Sequence, residues 1–273
     1  MADTTFGHKG WTPERLGDLS GKTYLITGAN SGAGFQAART LLKKNARVVM
    51  LNRSTEKSKA AIGELKQEIG EAADVSFVRL DLAVLDSVRD AAAEVLTTVP
   101  RIDALINNAA IASYTPFLEM TVKEWDLVMD IDLRAPFIAC KSVVPIMIEQ
   151  GGGSIINISS HAATNIFSST LSADSTDIAL IGQNYGAAKV GLERFTWGLA
   201  AELGPYNISV NVLKPLRPVV TEGFLAQRPD ADISTWATPA DMVKAAKYLA
   251  AQDAKGLSGT TVTAEELVRR LGL

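Results

Sequence analysis

Apolar and β-branched residues gather along this chain in seven short runs, at 23–29, 47–52, 75–82, 103–110, 154–160, 208–215 and 259–264. Most are apolar throughout rather than alternating, the pattern of strands covered on both faces. Between them, apolar positions recur every three or four residues over 33–44, 55–69, 84–97, 121–148, 185–203 and 239–252, which predicts helices. Regular alternation of strand and helix predicts one α/β domain over 21–273, a doubly wound parallel sheet of about seven strands with helices on both faces. No internal repeat, low-complexity tract or linker divides it. Residues 1–20 read as an N-terminal arm, and 216–238, of mixed polarity and bearing prolines, as a long loop or lid.

Composition supports this picture and removes several function classes. With 273 residues, 47% hydrophobic and 21% charged, the chain can bury a large core. A net charge of -3 and the lack of any Lys/Arg run of five argue against nucleic acid or an anionic membrane as partner. One cysteine, Cys140, excludes an internal disulfide, and two histidines, His8 and His161, are too few for a usual zinc site. No metal is expected, and a reduced cytoplasmic setting is. The first twenty residues lack the apolar core of a secretory signal, and no run of 18 uncharged apolar residues suggests a membrane span.

Candidate chemistry begins at "TYLITGANSGAGFQ", a glycine-rich turn between the first strand and the first helix. A helix N-terminus offers unpaired N–H groups and partial positive charge, and Gly28, Gly32 and Gly34 let a pyrophosphate approach the backbone. This is the context of a Rossmann-type dinucleotide site. At the end of the second strand, where an NAD-selective site carries an acid for the ribose hydroxyls, stands Arg53. An arginine can pair with a 2′-phosphate, so NADP(H) is the expected cofactor. Farther on, Tyr185 and Lys189 stand one helical turn apart in "NYGAAK". A tyrosine titrates near ~10, and a neighbouring ammonium can stabilise its phenolate enough for proton transfer nearer neutrality.

Thr27 to Gly34, "NNAA" at 107–110, the serine after "INIS" and Tyr185-x-x-x-Lys189 occur in the order of the short-chain dehydrogenases/reductases, and the chain resembles that family from about 20 to 260. The first half looks most like the retinol-dehydrogenase-related branch, which commonly uses NADP(H). The resemblance implies a catalytic group of Ser160, Tyr185 and Lys189. The serine would hold the substrate oxygen, the tyrosine exchange its proton, and the lysine lower the tyrosine pKa while holding the cofactor ribose. It places Gly28, Asn30, Ser31, Gly32, Ala33 and Gly34 on the cofactor. Asp81 and Leu82 would flank adenine, Asn108 and Ala109 line the ribose, and Pro215 and Thr221 lie along the nicotinamide. Ser159 is an adjacent alternative to Ser160; side chains alternate along a strand, so one of the two faces the site, and motif position favours Ser160.

Two departures stand out. The Ser160–Tyr185 interval is 25 residues, longer than in classical members, so 161–184 is expected to wall the substrate pocket, with His161 a candidate contact. Asp132 replaces the asparagine that in the family holds a proton-relaying water. Its charge would oppose the effect of Lys189 on Tyr185, unless it faces solvent or pairs with Arg134. The expected activity is hydride transfer between NADP(H) and a secondary alcohol or ketone of small to medium apolar substrates. A catalytically weak nucleotide-sensing or scaffold protein is the alternative. The sugar-nucleotide epimerase/dehydratase branch shares the Tyr–Lys spacing but has a different glycine spacing. Family members pair through the helices matching 121–148 and 185–203. In the second of these, Phe195, Trp197, Leu199 and Leu203 spread over more than one core-facing stripe, so a homodimer or homotetramer is expected.

Overall fold

A computed structural model describes residues 17–163, 182–222, 225, 230 and 232–273. Most of the expected arm, most of the 161–184 insert and part of the 216–238 lid lie outside the described residues. Seven strands form one sheet: β1 (Thr23–Thr27), β2 (Arg47–Asn52), β3 (Val75–Arg79), β4 (Ala104–Asn107), β5 (Gly153–Ile158), β6 (Ile208–Lys214) and β7 (Thr261–Thr263). Their order is β3-β2-β1-β4-β5-β6-β7, and every pairing is parallel. Parallel neighbours need crossover connections, and helices supply them.

The helices divide between the two faces. On one, α1 (Gly32–Leu42), α2 (Thr55–Ile69), α7 (Pro239–Ala250) and α8 (Ala264–Leu271) pack Leu41, Leu65, Leu249 and Leu267 against Ile26, Met50 and Ile156. On the other, α3 (Leu85–Thr98), α5 (Ala135–Glu149) and α6 (Gln183–Leu203) pack Val95, Met147 and Leu203 against Leu25, Val49 and Ile155. Neighbouring strand residues such as Leu25 and Ile26 thus point to opposite faces and are both buried. This is why the runs are apolar without alternation.

Most predicted elements fall within a few residues of their observed limits. The single helix expected over 121–148 is instead α4 (Val122–Met129), a π turn (Asp130–Arg134) and α5. The terminal helix α8 lies beyond the predicted elements. Its signals are a two-turn apolar stripe at Ala264, Leu267, Val268 and Leu271, Glu265 and Glu266 in its first turn, Arg269 and Arg270 in its last, and Gly272 at φ 63° after it. The two ends of the 216–238 segment are joined, since Val220 N–H donates to Ala237 O and Ala237 N–H to Pro218 O.

Candidate active site

A parallel sheet brings the ends of all its strands to one edge. Gly28, Arg53, Asp81, Asn108, Ser160 and Pro215 each follow the carboxyl end of a strand, β1 to β6, within one or two residues. In sheet order they form the row 81, 53, 28, 108, 160, 215. At ~4.8 Å per strand spacing the row spans about 24 Å, long enough for an extended dinucleotide. Its middle is the gap between β1 and β4, where successive crossovers change direction, the usual ligand crevice of such sheets.

The glycine turn fits a phosphate. Gly28 adopts φ 67°, which a side chain there would strain, and its backbone N–H is held by Leu51 O at 2.9 Å. At Gly34 a Cβ would stand 2.6 Å from both Gly28 O and Asn108 Nδ2, so the helix can seat this close only with glycine. Ser31 begins α1 without a side-chain cap, which leaves the first-turn N–H groups facing the crevice for an anion. Two polar side chains fix the turn. Asn52 Oδ1 accepts from Ala29 N–H at 2.7 Å, and Thr27 Oγ1 accepts from the N–H groups of Asn108 and Ala109, each at 2.9 Å. The Asn108 amide donates to Thr27 O at 2.9 Å, so its side chain stitches β1 to β4. Sequence alone does not single out Asn52, although a polar residue ending an apolar strand is a signal.

Arg53 is exposed beyond Asn52, and no carboxylate follows β2. Asp81 and Leu82 are half-buried, with Asp81 Oδ1 accepting from Ala83 N–H at 3.1 Å. A Cβ at Gly32 would come within 3.5 Å of Thr221, which brings the segment after Pro215 over the glycine turn.

Around Tyr185 the geometry centres on the buried Lys189 ammonium. It donates to Ile158 O at 3.0 Å, stands 3.2 Å from Asp132 Oδ2, and lies 5.6 Å from the centre of the Tyr185 ring. The side chains of Lys189 and Asp132 are 3% and 0% exposed. Arg134 pairs with Asp130, so neither alternative for Asp132 holds: it faces inward and its partner is Lys189. Asp132 Oδ1 accepts from Ile111 N–H at 2.9 Å; Oδ2 has its charge partner but no hydrogen-bond donor. Burial pushes the Asp132 carboxyl up, and Lys189 and the Ile111 N–H only partly offset this. Burial pulls Lys189 down, but the Asp132 carboxylate and then Tyr185 raise it further, and the net direction is upward.

Ser159 and Ser160 are separated by their environments. Ser159 is buried with its hydroxyl donating to Glu193 Oε1 at 2.7 Å, while Ser160 is half-buried and, among the described residues, its Oγ accepts a local bond from Ala162 N–H at 3.2 Å. His161 is exposed in a short 3₁₀ turn. A Cβ at Gly182 would stand 3.2 Å from Ser113 O and 3.4 Å from the Tyr114 ring, so the segment after β4 passes close to the start of α6, three residues before Tyr185.

Comparison with known proteins agrees with this geometry. The family model "short chain dehydrogenase" matches residues 22–229. A 2-dehydro-3-deoxy-D-gluconate 5-dehydrogenase of Formosa agariphila is 35% identical over 264 residues, covering 90% of this chain and 92% of the relative. A D-threitol dehydrogenase of Mycolicibacterium smegmatis is 32% identical, with 88% and 90% covered. A solved structure described as a putative NAD(P)-dependent gluconate 5-dehydrogenase from Beutenbergia cavernae, with bound NADP, is 28% identical with TM-score 0.76, covering 90% of this chain and 96% of that one. A chain so matched along its length, with the glycine turn, the strand-end row and the Tyr–Lys pair in place, belongs to the short-chain dehydrogenase/reductase family of oxidoreductases.

Proposed function

We propose that this protein transfers hydride between NADP(H) and a secondary alcohol or ketone, with Tyr185 as general acid/base. The observation that carries this reading is the buried Lys189 ammonium held beside Tyr185 by Ile158 O and Asp132. A cation fixed there can stabilise a phenolate in the transition state without reorganising. Bound nicotinamide supplies or accepts the hydride. Ser160 Oγ, uncommitted to other side chains among the described residues, holds the substrate oxygen, and Tyr185 gives or takes its proton.

The uncapped α1 N-terminus, with Gly28, Asn30, Ser31, Gly32, Ala33 and Gly34, receives the pyrophosphate. Asp81 and Leu82 would flank the adenine, Arg53 would take the 2′-phosphate, and Asn108 and Ala109 would line the ribose. Pro215 and Thr221 lie along the nicotinamide. The relatives' names carry a sugar acid and a tetritol, whereas the Tyr114 ring close to the start of α6 favours small or medium apolar ketones here.

We further propose that the chain pairs with a second copy through α4–α5 and α6. Phe137, Val190 and Trp197 are 46%, 48% and 45% exposed on α5 and α6, and Phe137 meets Phe195 edge to face at 6.0 Å. Exposed apolar residues on two long helices, with Arg194 exposed among them, suit a symmetric interface.

A panel of polyols, sugar acids and apolar ketones, monitored by NADPH absorbance, is expected to yield turnover. Tyr185→Phe should lower kcat roughly a hundredfold or more while NADPH still binds. Equal turnover by Tyr185→Phe would remove Tyr185 as the acid, and no turnover by the native chain on any carbonyl would favour the sensing or scaffold role.

NADPH should bind more tightly than NADH, and Arg53→Ala should remove most of the difference. A charge-assisted contact contributes ~1.5–3 kcal/mol, or roughly tenfold to a hundredfold in affinity. Titration with both cofactors checks this, and tighter NADH binding by the native chain contradicts it.

Asp132→Asn removes the charge that opposes Lys189, so the basic limb of alcohol oxidation should move to lower pH, by about one unit. Profiles of kcat/KM against pH for both proteins decide it; the limb reports the coupled Tyr185, Lys189 and Asp132 set. A limb that stays or rises shows that Asp132 does not oppose the lysine.

Light scattering at micromolar concentration should give a dimer or tetramer, and Trp197→Glu should move it toward monomer. A monomeric native chain refutes the pairing.

A further inference from the structure

Among the described residues only two ion pairs bury both partners, and α6 anchors both, four residues apart. The first is Lys189 with Asp132. In the second, Lys214 Nζ stands 3.0 Å from Glu193 Oε1, and the side chains are 12% and 9% exposed. The same oxygen of Glu193 accepts from Ser159 Oγ at 2.7 Å. One carboxylate oxygen therefore joins a helix to the ends of two strands, because Ser159 follows β5 and Lys214 closes β6.

What lies next in the chain gives this junction its interest. Ser159 leads directly into Ser160, and Lys214 into Pro215 and the segment that reaches Thr221 over the glycine turn. Lys189 already holds the end of β5 through Ile158 O, so α6 grips that strand end at two successive residues. The end of β6 is tied to the helix by the ammonium of Lys214. A buried ion pair is weak evidence of stabilisation, since apolar replacements of similar volume are often as stable. Its value lies in fixing direction: a buried charge that must stay paired holds the groups on either side in one place.

We infer that Glu193 is a positioning residue with two arms, one through Ser159 that places Ser160 and one through Lys214 that places the 215–221 segment against the cofactor. This rests on the proposed hydride transfer only for its kinetic consequences. An ångström-scale displacement of a reacting group is enough to lower the rate strongly.

The arms can be cut separately. Ser159→Ala removes the β5 arm alone. The pair Glu193→Gln with Lys214→Met removes both charges of the β6 arm, and the amide carbonyl introduced at position 193 still accepts from Ser159. Amide hydrogen exchange on the cofactor-free protein should rise at 159–163 in the first variant and at 214–222 in the second. Ser159→Ala should lower kcat roughly tenfold with NADPH affinity nearly unchanged, and the double variant should weaken NADPH roughly tenfold. A purely structural role predicts lower melting temperatures with exchange at both segments, kcat and NADPH affinity as in the native chain, and that result overturns the inference. So does exchange that rises alike at both segments in each variant. If the native chain neither binds NADPH nor reduces a ketone, the function fails instead, and the exchange pattern still decides the two arms.

Discussion

An ammonium out of water has to be paired, and the burial of Lys189 organises the end of the molecule where β5 meets α6. Three elements meet that demand. β5 offers the Ile158 carbonyl, the π turn offers the Asp132 carboxylate, and α6 carries the lysine itself. Because the lysine stands one turn after Tyr185 and donates to Ile158 O, pairing the charge also holds the Tyr185 ring near the end of β5. The same charge that orders this end of the sheet thus stands beside the Tyr185 ring.

The sheet supplies the rest by topology. Six strand ends at one edge make a linear ligand path, and side chains of ordinary type keep the path in register: Thr27 and Asn108 lock β1 to β4, and Asn52 locks the glycine turn to β2. A second polar ladder runs deeper, where Asn107 Nδ2 donates to Asn157 Oδ1 at 2.8 Å and Asn157 Nδ2 to Thr196 Oγ1 at 2.9 Å, tying β4, β5 and α6 beneath the site. Buried amides of this kind fix one arrangement because any other leaves them unsatisfied.

Much of this is legible in the residues. Continuous apolar runs of strand length give the parallel sheet, and the glycine turn and the Tyr185–Lys189 spacing give the candidate chemistry, since each depends on local sequence. What escapes depends mostly on contacts distant in sequence. Asn52 reads as an ordinary strand end until Ala29, 23 residues away, is seen to donate to it. Glu193 lies four residues after Lys189, a visible signal, but its partners Ser159 and Lys214 are 34 and 21 residues away. Helix α8 escapes for a different reason: its apolar stripe lasts only two turns, too short a run to stand out from a chain end. Asp132 reads as a departure from its family, while its inward direction needs the π turn, which no periodicity of 3.6 predicts.

That π turn has a further consequence for how the chain can vary. A π turn accommodates one residue more than the α-helical turn it replaces. The surplus is absorbed within Asp130–Arg134, so α4 and α5 keep their own facing on either side. The inward carboxylate of Asp132 and the outward ring of Phe137 lie only five positions apart, the first inside the π turn and the second beyond it. Loss of a single residue inside the bulge would re-aim the acid while leaving the aromatic face of α5 in phase with α6. The inner carboxylate and the outer aromatic face can therefore change independently along a single continuous rod.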